Sequence, residues 1–205
     1  MSAVNKPVFA LILLLMTGLT QAASVSYFLD KSNVSLPEAD FLKVTISDNA
    51  NGSDIDFRVD VLRDAFPSPA ANFGMQKFFF NYGEGLGVNA KNIVNIDPST
   101  WTIREDKNAG GSFGKFEFAL NGSGATRTEV LLFNIVSVDG DSIYDYAIGD
   151  SDNTGEFFAA HVAGFDAKGT TSGVFAGSTV VPIPAALWLL SPALLGLIGF
   201  SRRHQ

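Results

Sequence analysis

Gly110-Gly111-Ser112-Phe113-Gly114 carries the Gly-x-Ser-x-Gly spacing of a nucleophilic serine, and the middle of the chain holds a single histidine, His161, to serve it as a base. A nucleophile elbow needs a strand before the serine, a helix after it and the histidine within reach. Here a glycine-rich loop precedes Ser112 and the alternating run 115–120 follows it. The spacing therefore reads as a hairpin loop. His161 falls on one side with Phe157, Ala159, Ala163 and Phe165, which predicts a core imidazole hydrogen-bonded to backbone or carboxylate. One histidine without any cysteine makes a poor transition-metal site.

The stretch from Asp139 to Glu156 is the most acidic of the chain. Asp150, Asp152 and Thr154 before Gly155 resemble the opening of a calcium loop. His161, however, stands where the twelfth position requires a bidentate glutamate. Asp150 and Asp152 are thus weak calcium candidates, and a different loop geometry would draw on Asp139, Asp141, Asp145 or Glu156. The simpler reading is a solvated acidic loop, so no cofactor is expected. Gly83-Glu84-Gly85-Leu86-Gly87 lacks the strand, helix and spacing of a dinucleotide site. Asp54, Asp56 and Asp60 could pair as glycosidase acids, but strand alternation explains their spacing without further assumption.

These residues must be carried by strands. In "SDIDFRVDVL", Ile55, Phe57, Val59 and Val61 fall on one face, and Asp54, Asp56, Arg58 and Asp60 on the other; this is the period of a half-buried strand. Leu42, Val44 and Ile46 repeat it, as do Trp101 with Ile103 and Phe116 with Phe118. "EVLLFNIVSV" and "EFFAAHVAGF" are apolar on both faces and predict central strands covered on both sides. Asn51-Gly52, Asn121-Gly122 and Asp139-Gly140 are hairpin-type dipeptides. With 18 Phe against 4 Tyr and 2 Trp, the core is built on rings without polar handles. The expected fold is all-β, an antiparallel, jelly-roll-like β-sandwich over 23–168, with an up-and-down barrel as the next choice. The Gly/Ser/Thr-rich segment 169–180 is expected to leave it as a linker.

The totals narrow the function. The 205 residues allow one ordinary domain plus end segments. Fourteen basic residues face 21 acidic ones, but Lys6, Arg202 and Arg203 lie in or beside the hydrophobic ends, so the middle carries a balance near −10. Such a surface repels nucleic acid and anionic head groups. The absence of cysteine excludes disulfides and thiolate nucleophiles.

The ends read as addresses. Residues 1–22 form a signal peptide: Lys6 supplies the positive start, Val8 to Met16 the apolar run, and Thr20-Gln21-Ala22 the small-residue site. Cleavage after Ala22 is favoured, with Ala23 the next site. At the other end Ala185 to Phe200 holds no charge. With Val181 to Pro184 it would span about 30 Å as a helix, the thickness of a hydrocarbon core. Arg202 and Arg203 just beyond it favour a cytoplasmic end, leaving the acidic middle outside.

Val181-Pro182-Ile183-Pro184-Ala185, an apolar segment containing Trp188, and Arg202-Arg203 together resemble a PEP-CTERM sorting signal over 181–205, closest to the variant written VPLPA with Ile183 in place of leucine. The glutamate usual between the prolines is absent. The resemblance implies a Gram-negative bacterium, export by the Sec machinery and signal peptidase, and processing of the tail by the membrane enzyme exosortase. It further implies a non-enzymatic protein of the cell surface or extracellular matrix, with exopolysaccharide (biofilm) assembly as its setting. The alternative is a carbohydrate-binding β-sandwich, calcium-dependent or not, using Trp101, Tyr82, Tyr144 and Tyr146.

Pro182 and Pro184 cannot donate backbone hydrogen bonds and keep the motif extended, as a protease subsite requires. Deleting Val181 to Gln205 is expected to release soluble protein, whereas replacing both prolines by alanine leaves a full-length membrane form. Fractionation and immunoblotting check both, and normal processing of the proline variant would refute the sorting reading.

Overall fold

The computed structural model describes residues 23–49, 54–109, 113–149 and 155–181. They form two antiparallel sheets of six strands each, packed face to face. In chain order the strands are β1 (Ser24–Leu29), β2 (Lys31–Ser32), β3 (Leu42–Asp48), β4 (Ile55–Val61), β5 (Gly74–Phe80), β6 (Ile93–Asp97), β7 (Thr102–Asn108), β8 (Lys115–Asn121), β9 (Val130–Ile135), β10 (Phe158–Ala167), β11 (Thr170–Gly177) and β12 (Thr179–Val181). The first sheet runs β12-β1-β3-β4-β9-β6 and the second β2-β11-β10-β5-β8-β7. Two single 3₁₀ turns, Arg63–Ala65 and Ile143–Tyr146, are the only helical pieces among the described residues.

Alternation sets which side chains enter the interior. In β3 and β4, Leu42, Val44, Ile46, Ile55, Phe57, Val59 and Val61 are buried while their neighbours face outward. The two inner faces meet through phenylalanine. Phe57 and Phe133 of the first sheet meet Phe80 of the second with centroids 5.4 and 5.5 Å apart, and Phe66 contacts Phe41, Phe73, Phe165 and Phe175 within 5.6 Å. Each such pair adds about 0.5–1.5 kcal/mol beyond the area it buries. With no disulfide, this ring-on-ring packing carries the stability of the sandwich.

The expected jelly-roll wiring differs from what is found. The pairs β3–β4, β7–β8 and β10–β11 are hairpins within one sheet. The reason is local for β10–β11: Lys168 and Gly169 both have positive φ (53° and 92°), the backbone of a two-residue turn that matches strand twist. Asn121-Gly122 is not such a turn. Gly122 follows β8 and makes room for Trp101, whose ring lies 2.5 Å from where a Cβ would stand.

The segment expected to be a linker is structural. Residues 170–177 are β11, paired to β10 and β2, and 179–181 are β12, paired to β1. Its small residues serve close approach instead of flexibility. A Cβ on Gly177 would lie 2.2 Å from the Phe28 carbonyl oxygen, and one on Gly173 2.9 Å from Val34. At this corner the chain passes from the first sheet to the second between β1 and β2, and back again between β11 and β12. The Thr179 hydroxyl donates to Asp30 Oδ2 at 3.0 Å and ties the two crossings together.

One of the two doubly apolar strands is covered on both faces. In β10, Phe158, Ala160 and Val162 enter the main core, and Ala159 joins a second cluster with Phe79, Ala109, Phe116, Ala119, Val174 and Ala176. The loop end of the β7–β8 hairpin, closed by Ala109 N–H donating to the Gly114 carbonyl at 3.0 Å, contributes Ala109 and Phe113 to that cover. In β9 only Leu131, Phe133 and Ile135 are buried; Val130, Leu132 and Asn134 stay half-exposed, because nothing among the described residues packs over that face as the hairpin does over β10.

Replacing Gly177 by alanine is expected to cost about 3 kcal/mol or more, since the added methyl meets backbone that cannot move aside. The same change at Gly85, where φ is +87° but the surrounding space is open, should cost about 1–2 kcal/mol. Urea unfolding of the two variants beside the parent measures the difference.

Candidate functional site

Half of every first-sheet strand points away from the core, and at one end these outward side chains form a cleft. β3 supplies Ser47, β4 Asp56 and Arg58, β9 Leu132 and Asn134, and β6 Asn95 and Asp97. The cleft encloses about 300 Å³, with Phe57 and Phe133 also contributing to its lining.

A bulge builds its far wall. β6 pairs with β9 at Ile93↔Ile135 and Val94↔Asn134, then skips to Asp97↔Leu132. Asn95, inside the skip, has φ of 53°, a left-handed conformation that asparagine tolerates better than most residues. Freed from the ladder, its side chain reaches across to β9. Asn95 Nδ2 donates to Asn134 Oδ1 at 2.9 Å, Asn134 Nδ2 donates to Asp56 Oδ1 at 2.5 Å, and Asn49 Nδ2 donates to the same oxygen at 3.2 Å. Three strands are thereby linked through one relay of amides ending on a carboxylate. Beside it Arg58 donates to both oxygens of Asp60 at 2.9 and 2.6 Å. That hydrogen bonding, with the Asp60 charge behind it, raises the Arg58 pKa still further.

The residues singled out in the sequence are dispersed. Val181 is the last residue of β12. Ala22, Pro182, Ile183, Pro184, Ala185, Arg202 and Arg203 lie outside the described residues, as do Ser112, Asp150 and Asp152. The strand β8 following Gly114 is the frame of a hairpin, not of a nucleophile elbow. Of the described acids near the proposed calcium loop, Asp141, Asp145 and Glu156 have structural partners. Asp145 accepts from Ser142 N and Oγ at 2.8 Å each, Asp141 accepts from the Tyr146 hydroxyl at 2.6 Å, and buried Glu156 pairs with Lys31. Burial, and then the bond to Asp141, push the Tyr146 hydroxyl far above its usual pKa. Of the aromatic candidates, Trp101 and Tyr146 are buried, Tyr82 packs on Phe118, and Tyr144 is 65% exposed. They form no common platform.

His161 is half-buried on the outer face of β10, opposite Lys77 of β5. With its amide oriented to satisfy all neighbours, Gln76 donates to His161 Nδ1 at 3.0 Å and accepts from Arg127 Nε at 3.0 Å and Gly124 N at 3.3 Å. The partner is thus an amide, neither backbone nor carboxylate, and the neutral ring carries its proton on Nε2. Burial, then the charges of Lys77 and Arg127, lower its pKa.

Sequence reading passed over the cleft because "DIDFRVDV" is fully explained as a solvated face. The signal available was Asn134, a polar residue inside the apolar run "LLFNIV". Compared with family models, curated proteins and solved structures, the chain gives no match.

Because the folded-state pKa of His161 lies below the ordinary 6.5, the unfolded chain takes up that proton first. The contribution is complete above about pH 6.5 and is lost as pH falls toward the folded-state value. His161→Gln, neutral but still able to accept from Gln76, should therefore lose less stability than the parent between pH 7 and pH 5. Urea midpoints across that range check the sign.

Proposed function

We propose that the chain is an exported surface protein. It is delivered by the Sec route, held briefly at the inner membrane by its C-terminal apolar segment, processed at the Pro-x-Pro motif by an exosortase, and then works without catalysis in the envelope or extracellular matrix, in a setting of exopolysaccharide assembly. The resemblance of 181–205 to a PEP-CTERM signal is the sequence support.

The observation that carries the reading is where the domain lets go of its two ends. β1 starts at Ser24, directly after the favoured cleavage site, and the Ala23 carbonyl already accepts from Asp48 N at 2.9 Å. β12 runs antiparallel to β1 with Ser26 opposite Val181. The two apolar segments therefore depart from neighbouring strands at the same end of one sheet. Both can enter one bilayer from one side, with the acidic domain held clear of it.

Intact-mass and terminal-peptide analysis of the protein recovered from its own cells tests this. The expected product begins at Ala23 or Ser24 and ends near the Pro-x-Pro motif. A mature protein retaining both hydrophobic ends would refute the proposal.

A further inference from the structure

We infer that the cleft on the outer face of the first sheet binds an uncharged saccharide, through Asp56, Asp97, Asn95 and Asn134 with Leu132 as an apolar floor. The chemistry follows from what the cleft offers. Asp56 and Asp97 are acceptors, and the amides of Asn95 and Asn134 are both donors and acceptors. Vicinal hydroxyls, which also donate and accept, complement such a set.

The polarity of the relay leaves groups to spare. Each of its amide nitrogens has one N–H committed, in Asn95 to Asn134 and in Asn134 to Asp56. The Asn95 carbonyl oxygen accepts from no described group. The serial bonds also fix the side chains before a ligand arrives, which lowers the ordering cost of binding. Half-exposed Leu132 gives an aliphatic surface for the C–H face of a sugar ring. At about 300 Å³ the cleft is at the small end of ligand pockets, suited to a short saccharide segment.

Charge decides against an acidic ligand. Arg58, the one cation lining the cleft among the described residues, is held by both oxygens of Asp60, so Asp56 and Asp97 leave the site net negative. Uronic acids and phosphorylated sugars are repelled. Charge-assisted bonds from neutral hydroxyls to the two carboxylates are the favourable alternative.

This inference deepens the surface-protein reading by naming a ligand class. It rests on that reading only for where the ligand is met. Binding in vitro and analysis of the mature termini can therefore fail separately.

The test uses the full chain in a detergent without a sugar head group. Tetrasaccharides of glucose, mannose, galactose or N-acetylglucosamine are titrated by calorimetry against a tetrasaccharide of glucuronic acid. Saturable binding of at least one neutral probe, with none of the acidic one, is expected. Asp56→Asn should weaken it at least about tenfold. Asn95→Gly keeps the positive-φ backbone that the bulge requires while removing the amide, so its fold is safe, and it too should weaken binding about tenfold. No saturable binding of any neutral probe would overturn the inference. So would unchanged affinity in a folded Asn95→Gly variant, or loss of binding on adding EDTA, since the carboxylates are to touch hydroxyls directly.

Discussion

Two backbones approach each other where Gly177 passes Phe28, closer than any side chain on Gly177 would allow. At that corner β1 hands the chain to β2 across the sandwich, and β11 hands it back to β12. The crossings let one continuous chain tie an edge of each sheet to the other without a disulfide. The Asp30–Thr179 hydrogen bond then fixes the two crossings to one another. Edge strands left open are templates for aggregation, and here β2 is kept to two residues.

The rest of the packing follows from that closure. With the inner faces brought together, phenylalanine fills the space between them, and on the outer face of the second sheet Ala159 of β10 and Ala176 of β11 cluster with Ala109 and Phe113 from the loop end of the β7–β8 hairpin. Phenylalanine carries no polar atom, so the interior has little to satisfy by hydrogen bonding. The buried polar groups that do occur, such as Asn81 and Glu156, sit where loops meet strands: Asn81 Oδ1 accepts from Glu117 N at 2.9 Å, and Glu156 pairs with Lys31.

Much of the fold could be read from the chain, because period-two alternation is a direct image of the pleat. β3 and β4 fall where their patterns put them. What misled was the meaning of glycine. In 169–180 glycine marks a tight turn at Gly169 and close approach at Gly173 and Gly177, and composition alone cannot tell these from flexibility. β9 failed for a different reason: an apolar outer face at Leu132 looks like a covered one until the neighbours are known. The cleft was the least legible, since it depends on Asn95 being released from β6 by a bulge. That event is set by pairing between strands about forty residues apart.

The strand order has a consequence for how the molecule comes into being. β1, made from the first described residues, lies between β3 and β12, the last strand. β10 and β11, also late in sequence, occupy the interior of the other sheet. Neither layer can be completed while the carboxyl-terminal portion is still being delivered, and so many distant pairings make assembly slow. A polypeptide emerging amino end first therefore cannot close either layer until β10, β11 and β12 have appeared, so the last-made strands act as the latch for the first-made ones.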